Sequence, residues 1–276
     1  MTQAQAAENT ARSYYDSEDA DTFYSRVWGG EDIHVGLYET PGEEIAAASR
    51  RTVARMGAVA GITAGTRVLD LGSGYGGAAR QLARNLGAKV HCLNLSPVEN
   101  DRNARLTKEQ GLEDLVTVAT GTFEDVPVDD ASIDVVWSQD AFLHSGDRET
   151  VLDEIARVLK PGGQVVFTDP MAVDGVDQSS IQPILDRIQL STMATPGFYT
   201  ARLEKLGFTS VTFHDHAGQL PTHYGRVREE LVAREQELSA AISDTYITNM
   251  KAGLQHWVDG GNAGKLTWGI VHAVKG

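Results

Sequence analysis

Apolar and polar positions change rhythm several times along the 276 residues. Between 66 and 170, short apolar runs of strand length alternate with stretches whose apolar residues recur at helical spacing. "TRVLDLG" predicts a first strand and "GGAARQLARNLG" a helix. "AKVHCLNLS" predicts a second strand, and "PVENDRNARLTKEQG" a helix opened by Pro97. "LVTVATG" and "SIDVVWSQ" predict strands three and four. "RETVLDEIARVLKPGG" predicts a helix ended by Pro161-Gly162-Gly163, and "QVVFTDP" a fifth strand. Strands alternating with helices predict a wound, mostly parallel sheet.

The flanks read differently. Residues 1–40 are aromatic and acidic, most densely in "FYSRVWGGEDIHVGLYE". "PGEEIAAASRRTVARMGAVAG" predicts a helix with Pro41 near its start and Gly61 as its stop. After strand five, 171–198 is a mostly polar insertion of weak helical character. "TARLEKLGF" predicts a helix and "TSVTFHDH" a strand. Val227, Leu231, Leu238, Ile242, Met250, Leu254 and Trp257 predict a helical region through 221–259, stopped by Gly260-Gly261, before a closing strand in "KLTWGIVHAV". No repeat or low-complexity tract interrupts this order. The expected organisation is one domain over 1–276: a cap segment at 1–61, a cofactor-binding core at 62–170 and a substrate-side region at 171–276.

Charge narrows the class of partner. Lys and Arg total 24 against 38 Asp and Glu, a formal net charge of −14. An acidic surface repels phosphate backbones, so nucleic acid is not an expected partner. Lys makes up 7 of those basic residues, and an acidic, Lys-poor surface suits a salt-rich cytoplasm. No apolar run reaches the length a bilayer requires. The first residues lack the basic start and apolar stretch of a signal peptide. The single cysteine, Cys92, precludes an internal disulfide. The expectation is a cytoplasmic protein with a small-molecule substrate.

The chemistry gathers at strand ends. "VLDLGSGYGG" sets Gly72, Gly74 and Gly76 between a strand and a helix, where glycine lets the backbone turn sharply and approach a ligand. Such a turn serves NAD, FAD or S-adenosylmethionine, or no ligand at all. Asp70, two residues before Gly72, would repel a pyrophosphate but suits a ligand carrying an ammonium and a sulfonium. That favours S-adenosylmethionine. Strand two ends at Asn94, followed by Leu95. An amide there either pairs with ribose hydroxyls or caps the next helix. In "GTFEDVP", Thr122 and Phe123 are positioned to meet an adenine by hydrogen bond and by stacking, and Phe123 equally fits a core. Strand four ends "SQDAFLH": Gln139, then Asp140, with His144 one helical turn on. Such a pair can hold or move a proton.

"VLDLGSGYGG", "GTFEDVP", "SQDAFLH" and "EIARVLKPGG" together resemble the class I S-adenosylmethionine-dependent methyltransferases, over about residues 66–170. The resemblance implies a Rossmann-like seven-stranded sheet with its last strand antiparallel. "WGGEDIHVGLYE", "LPTHYGRV" and "HWVDGGNAGKLTWG" resemble the sarcosine/dimethylglycine N-methyltransferases, which make glycine betaine. Related phosphoethanolamine methyltransferases carry Asp-x-x-x-His at the end of strand four, matched here by Asp140 and His144. In that branch a Tyr from the N-terminal segment pairs with the His over the substrate, which implies Tyr14 or Tyr15. The same likeness implies that His34, within "EDIHVG", touches the cofactor's methionine end. Two positions depart from the wider class, whose strand-two acid is Asn94 here and whose strand-three loop Asp is Thr122.

The implied acceptor is a small amine. A quaternary ammonium is best held by aromatic faces, and Tyr14, Tyr15, Tyr24, Trp28, Tyr199, Tyr224 and Trp257 are candidates, of which two or three are expected at the site. Its carboxylate needs a cation or amide donors, for which His34, Arg202, His223, Arg226 and Lys265 are available, and sequence singles out none of them. No metal is expected, because the eight His form no ligand spacing with Cys. The competing readings are a natural-product O- or C-methyltransferase, a phosphoethanolamine-type N-methyltransferase, and a nicotinamide-dependent oxidoreductase. Asp70 argues against the last.

Overall fold

The computed structural model describes residues 17–188 and 190–276. Tyr14 and Tyr15 lie outside the described residues. From Ser17 the chain forms a short helix, α1 (Glu18–Phe23), that runs into one π-helical turn at Tyr24–Trp28. A longer helix, α2 (Ile45–Val59), precedes the alternating region. That region comprises β1 (Arg67–Leu71), α3 (Gly77–Leu86), β2 (Lys89–Asn94), α4 (Pro97–Glu109), β3 (Val116–Thr120), β4 (Ile133–Gln139), α5 (Arg148–Val158) and β5 (Leu159–Ala172). Then come α6 (Gln182–Ile188), α7 (Pro196–Lys205), β6 (Phe208–Asp215), α8 (Gln219–Ala233), the single turn α9 (Glu235–Leu238), α10 (Asp244–Asn262) and β7 (Leu266–Lys275).

The seven strands form one sheet in the order β3-β2-β1-β4-β5-β7-β6. All neighbouring pairs are parallel except that β7 runs antiparallel to both β5 and β6. The expected seven-stranded, mostly parallel sheet with one reversed strand is therefore what the chain builds. The strand order reverses between β1 and β4, where the loops leaving their carboxyl ends part and leave a crevice. Apolar residues cover both faces: Met56, Leu82 and Trp137 on one side, and Leu152, Ile155 and Phe167 on the other. A third apolar cluster caps the carboxyl ends. It draws Phe23 and Trp28 from the first turns, Leu185 from α6, Tyr224 from α8 and Trp257 from α10.

Three boundaries differ from the sequence pattern. The helix expected to run to Pro161 stops at Val158, because Leu159 already pairs with Ile133 and Lys275 Nζ satisfies the carbonyls of Ala156 and Leu159. The helical region expected over 221–259 divides into α8, α9 and α10, with Ser243 capping the last. The helix expected from Thr200 starts at Pro196, whose fixed φ suits the first helical position after the Thr195 cap. Among the described residues, no helix is long and apolar enough to cross a membrane.

Candidate functional site

At the switch point the backbone is drawn tight. Gly72 has φ +75°, and a Cβ there would lie 2.4 Å from that of Ala141. Only glycine lets the loop after β1 lie so close to the loop after β4. Its N–H donates to Leu93 O at 2.8 Å, while Ser138 Oγ donates to Leu71 O at 2.7 Å, fixing the ends of β2, β1 and β4 together. Asp140 follows in a left-handed conformation, φ +54°, which a short polar side chain tolerates better than others. Strain of this kind clusters at functional sites.

One end of the crevice is acidic. Asp32, Asp70 and His34 are all buried beside Ser73 and Gln139. Burial pushes the Asp70 carboxyl up to about 7, opposed by the charge of His34. Burial likewise raises Asp140, opposed by His34 and by the hydrogen bonds of Val35 and Trp268. For His34, burial opposes the charged ring, but the neighbouring Asp32 and Asp140 outweigh it and the imidazole titrates above its usual value. Three carboxyls around one imidazole leave a site that favours a further cation. Four buried polar atoms here have no hydrogen-bond partner among the described residues: Asp32 Oδ1, His34 Nε2, Ser73 Oγ and Gln139 Nε2. His34 Nε2 and Asp32 Oδ1 stand 3.6 Å apart, an ion-pair distance rather than a hydrogen bond. Orphaned donors and acceptors beside surplus negative charge fit a ligand carrying ammonium, carboxylate and sulfonium groups, as S-adenosylmethionine does.

The crevice continues past Gly74 and Leu95 toward Phe123. Asn94 Nδ2 donates to Glu99 Oε2 at 2.9 Å, and Glu99 also lines this wall. Glu99 thus supplies the carboxylate that the end of β2 lacks. The cap of the following helix is Ser96, whose Oγ accepts from Glu99 N–H, rather than Asn94. Phe123 lies edge-on to Phe142 at 5.7 Å and also faces the crevice. Thr122 is not among the lining residues.

Beyond Asp140 the crevice meets a cavity of about 50 Å³ under the cap. Tyr24, Trp28, Tyr224 and Trp257 wall it. Tyr224 and Trp257 stack at 4.8 Å with planes 4° apart, and Trp28 meets Tyr224 edge-on at 5.5 Å. Asp140 and His144 lie on the same cavity. Both oxygens of Asp140 are engaged, Oδ2 by Val35 N–H at 2.6 Å and Oδ1 by Trp268 Nε1–H at 2.7 Å. Burial, helped by the charge of Arg148, lowers His144 to about 4, so its ring is neutral near pH 7 and resists protonation.

Two of the residues expected at the acceptor stand elsewhere. Tyr199 is fully buried behind the site, where its hydroxyl donates to Asp169 Oδ2 at 2.7 Å. Asp169 in turn receives Leu143 N–H at 3.0 Å, so Tyr199 seats the turn that carries His144. Arg226 is paired with Glu229 and Glu230 on α8 and does not line the cavity. Tyr15 and Tyr14 fall outside the described residues. The residues that sequence reasoning missed include Asp32, Ile33, Ser73, Glu99, Arg187 and Trp268. No group of three or more His, Cys, Asp or Glu among the described residues is arranged to hold a metal.

Residues 69–167 match the methyltransferase domain family. The chain is 58% identical over 268 residues to the sarcosine/dimethylglycine N-methyltransferase of Halorhodospira halochloris, covering 97% of this chain and 96% of the relative. It is 57% identical over 267 residues to the glycine/sarcosine/dimethylglycine N-methyltransferase of Actinopolyspora halophila, covering 97% of this chain but 47% of that protein, so it spans about half of that relative's length. Its fold superposes on the crystal structure of a candidate sarcosine dimethylglycine methyltransferase from Galdieria sulphuraria with a TM-score of 0.90 and 48% identity, over 95% of this chain and 98% of that one.

Proposed function

The chain belongs to the S-adenosylmethionine-dependent methyltransferases, within the sarcosine/dimethylglycine branch, and from that premise we propose that it methylates sarcosine and N,N-dimethylglycine to glycine betaine. The observation that carries the reading is the junction at Asp140. That residue lines both the cofactor crevice, whose far end is acidic and fits a doubly cationic ligand, and the small aromatic cavity, which fits a methylated amine.

S-Adenosylmethionine, when bound, supplies an electrophilic methyl on a sulfonium. The chain's own contribution is positioning and charge. Asp32, Asp70 and His34 would hold the methionine end, with Gln139 and Ser73 offering their unpaired polar atoms. Asn94, Glu99, Leu95 and Phe123 would hold the nucleoside. In-line transfer depends above all on a near, aligned nucleophile. Tyr24, Trp28, Tyr224 and Trp257 provide faces for the N-methyl groups, each worth about 0.5–2 kcal/mol toward a cation. An ammonium must lose its proton before it can attack. His144, kept neutral by burial, can hydrogen-bond the free amine and orient it, but lowered to about 4 it is too weak a base to strip an ammonium, so the acceptor enters already deprotonated. Asp140 stabilises the positive charge that returns to nitrogen as the new bond forms. Its fixed oxygens cost no reorganisation at that moment.

The test offers glycine, sarcosine, N,N-dimethylglycine and phosphoethanolamine in parallel with methyl-labelled cofactor. Label is expected in the products of sarcosine and dimethylglycine. Label confined to phosphoethanolamine, or absent from all four, would overturn the reading.

A further inference from the structure

An amino-acid acceptor brings a carboxylate into the aromatic cavity, and that charge loses its water on entry. A site that binds it has to present donors in return. The described basic side chains near the cap are largely committed. His34 stands among acids, and Arg202 pairs with Asp153 at 2.6 Å. Arg226 pairs with Glu229 and Glu230, and Lys265 donates to Ser180 O. His223 is neutral: Gly36 N–H and Tyr38 O–H both meet its Nδ1, and burial holds it down to about 3. Arg187 of α6 lines the acceptor cavity itself.

Two independent observations mark Arg187 as deliberately placed there. The first is Gly253, in the interior of the 19-residue helix α10. Its backbone is not in the left-handed region, so no turn calls for glycine, and glycine weakens a helix relative to alanine. What calls for it is space. A Cβ at 253 would lie 1.9 Å from Arg187 Nε and 2.1 Å from its Cδ. The arginine side chain fills a notch in α10, with Met250 Sδ 2.7 Å from Nη2. The second observation is a pair of indoles. Trp28 and Trp257 both line the cavity, and the Nε1–H of each is buried without an acceptor among the described residues. Buried donors without partners are rare in native proteins and call for an explanation. These two share a cavity with the one arginine among its lining residues.

We propose that the acceptor's carboxylate is received by Arg187 together with the indole N–H groups of Trp28 and Trp257, and that Gly253 determines specificity by seating the arginine. The inference rests on the reading of the acceptor as an N-methylated amino acid. The planar guanidinium fork matches a carboxylate. The indoles offer an aromatic face to the methyls and an edge donor to the oxygens. Gly253 is a positioning residue, acting on substrate only through Arg187.

The experiment measures kcat and KM for sarcosine and N,N-dimethylglycine in wild type, Gly253→Ala, Arg187→Gln, Arg187→Lys and Trp257→Phe. S-Adenosylhomocysteine affinity and melting temperature are measured alongside. Gly253→Ala is expected to melt no lower than wild type, since alanine suits the helix, and to keep S-adenosylhomocysteine affinity within twofold. Its KM for both acceptors should rise at least tenfold, with a smaller change in kcat. Arg187→Gln should raise KM still further, Arg187→Lys should recover part of the loss, and Trp257→Phe should raise KM severalfold. Wild-type KM in both Gly253→Ala and Arg187→Gln would overturn this proposal and leave the acceptor assignment standing. Wild-type protein that methylates neither amino acid would overturn both.

Discussion

Asp70 shows how burial and ligand charge trade against each other at a single carboxyl. In the cofactor-free protein its burial favours the protonated form and lifts it to about 7. A carboxyl that holds its proton more tightly in the folded state than in the unfolded chain makes stability fall as pH rises, here from the ordinary carboxylate range to about 7. A cationic ligand reverses the preference, because it needs the ionised form. Affinity for S-adenosylmethionine should therefore rise about tenfold between pH 6 and pH 8, the change in ionised fraction for a group titrating near 7. Calorimetry across that range checks it, and Asp70→Asn should flatten the curve as well as lower it. A flat wild-type profile would place the cation elsewhere. Asp140 has a double commitment. Its oxygens receive the Val35 N–H and the Trp268 indole, so it anchors the cap as well as facing the acceptor. Asp140→Asn would turn an amide N–H₂ toward one of those donors, and a loss of cofactor affinity beside the loss of turnover follows from that geometry.

Among the elements, the strap from Ser17 to Thr40 is tied down by charged attachments. Glu31 meets the buried Arg80 at 2.8 Å, and Arg80 also donates to Tyr75 O. Asp21 accepts from Tyr75 Oη at 2.8 Å and pairs with Arg102. Asp19 accepts from Ser243, the cap of α10, at 2.6 Å. These contacts hold Asp32, Ile33 and His34 over the crevice. Glu31→Gln removes the charge opposite Arg80 and should speed S-adenosylhomocysteine dissociation at least fivefold in stopped flow, while lowering the melting temperature by only a few degrees because Glu31 is partly exposed. An unchanged off-rate would show that the strap does not gate the ligand. The strap also marks where the sequence was legible and where it was not. The alternation from β1 to β5 could be read because period and Gly/Pro punctuation are local, and so could Asp70, Gly72, Asn94 and Gln139, which sit at strand ends. Contacts between distant segments leave no such trace. Nothing in "EDIHVG" says that Ile33 will meet Gly74, and nothing in the polar insertion says that Arg187 will fill the notch at Gly253. Tyr199 carries no local sign that its hydroxyl turns inward to Asp169. Arg226 was the avoidable miss, since Glu229 and Glu230 at helical spacing already announce its partners.

Taken as a whole, the molecule places two ligand sites under one cover. Ile33 lines the methionine end of the crevice, its nucleoside end and the acceptor cavity alike. Tyr24 and Trp28, on the same strap, wall the acceptor cavity. Converting sarcosine to glycine betaine takes two methyl transfers, and each spends one cofactor. If the strap gates the crevice, as the Glu31→Gln off-rate tests, exchange of the spent cofactor lifts it, and two walls of the acceptor cavity go with it. The half-finished product, N,N-dimethylglycine, is then left with Asp140, His144 and the walls from α6, α8 and α10, open on the strap side. The enzyme should accordingly be distributive. With labelled sarcosine and a large unlabelled pool of dimethylglycine, label should collect in that pool before any reaches betaine, whereas label passing straight to betaine would mean that the intermediate stays aboard while the cofactor changes. Under a shared cover, the intermediate becomes a diffusible metabolite, open at every turnover to whatever else in the cell consumes it.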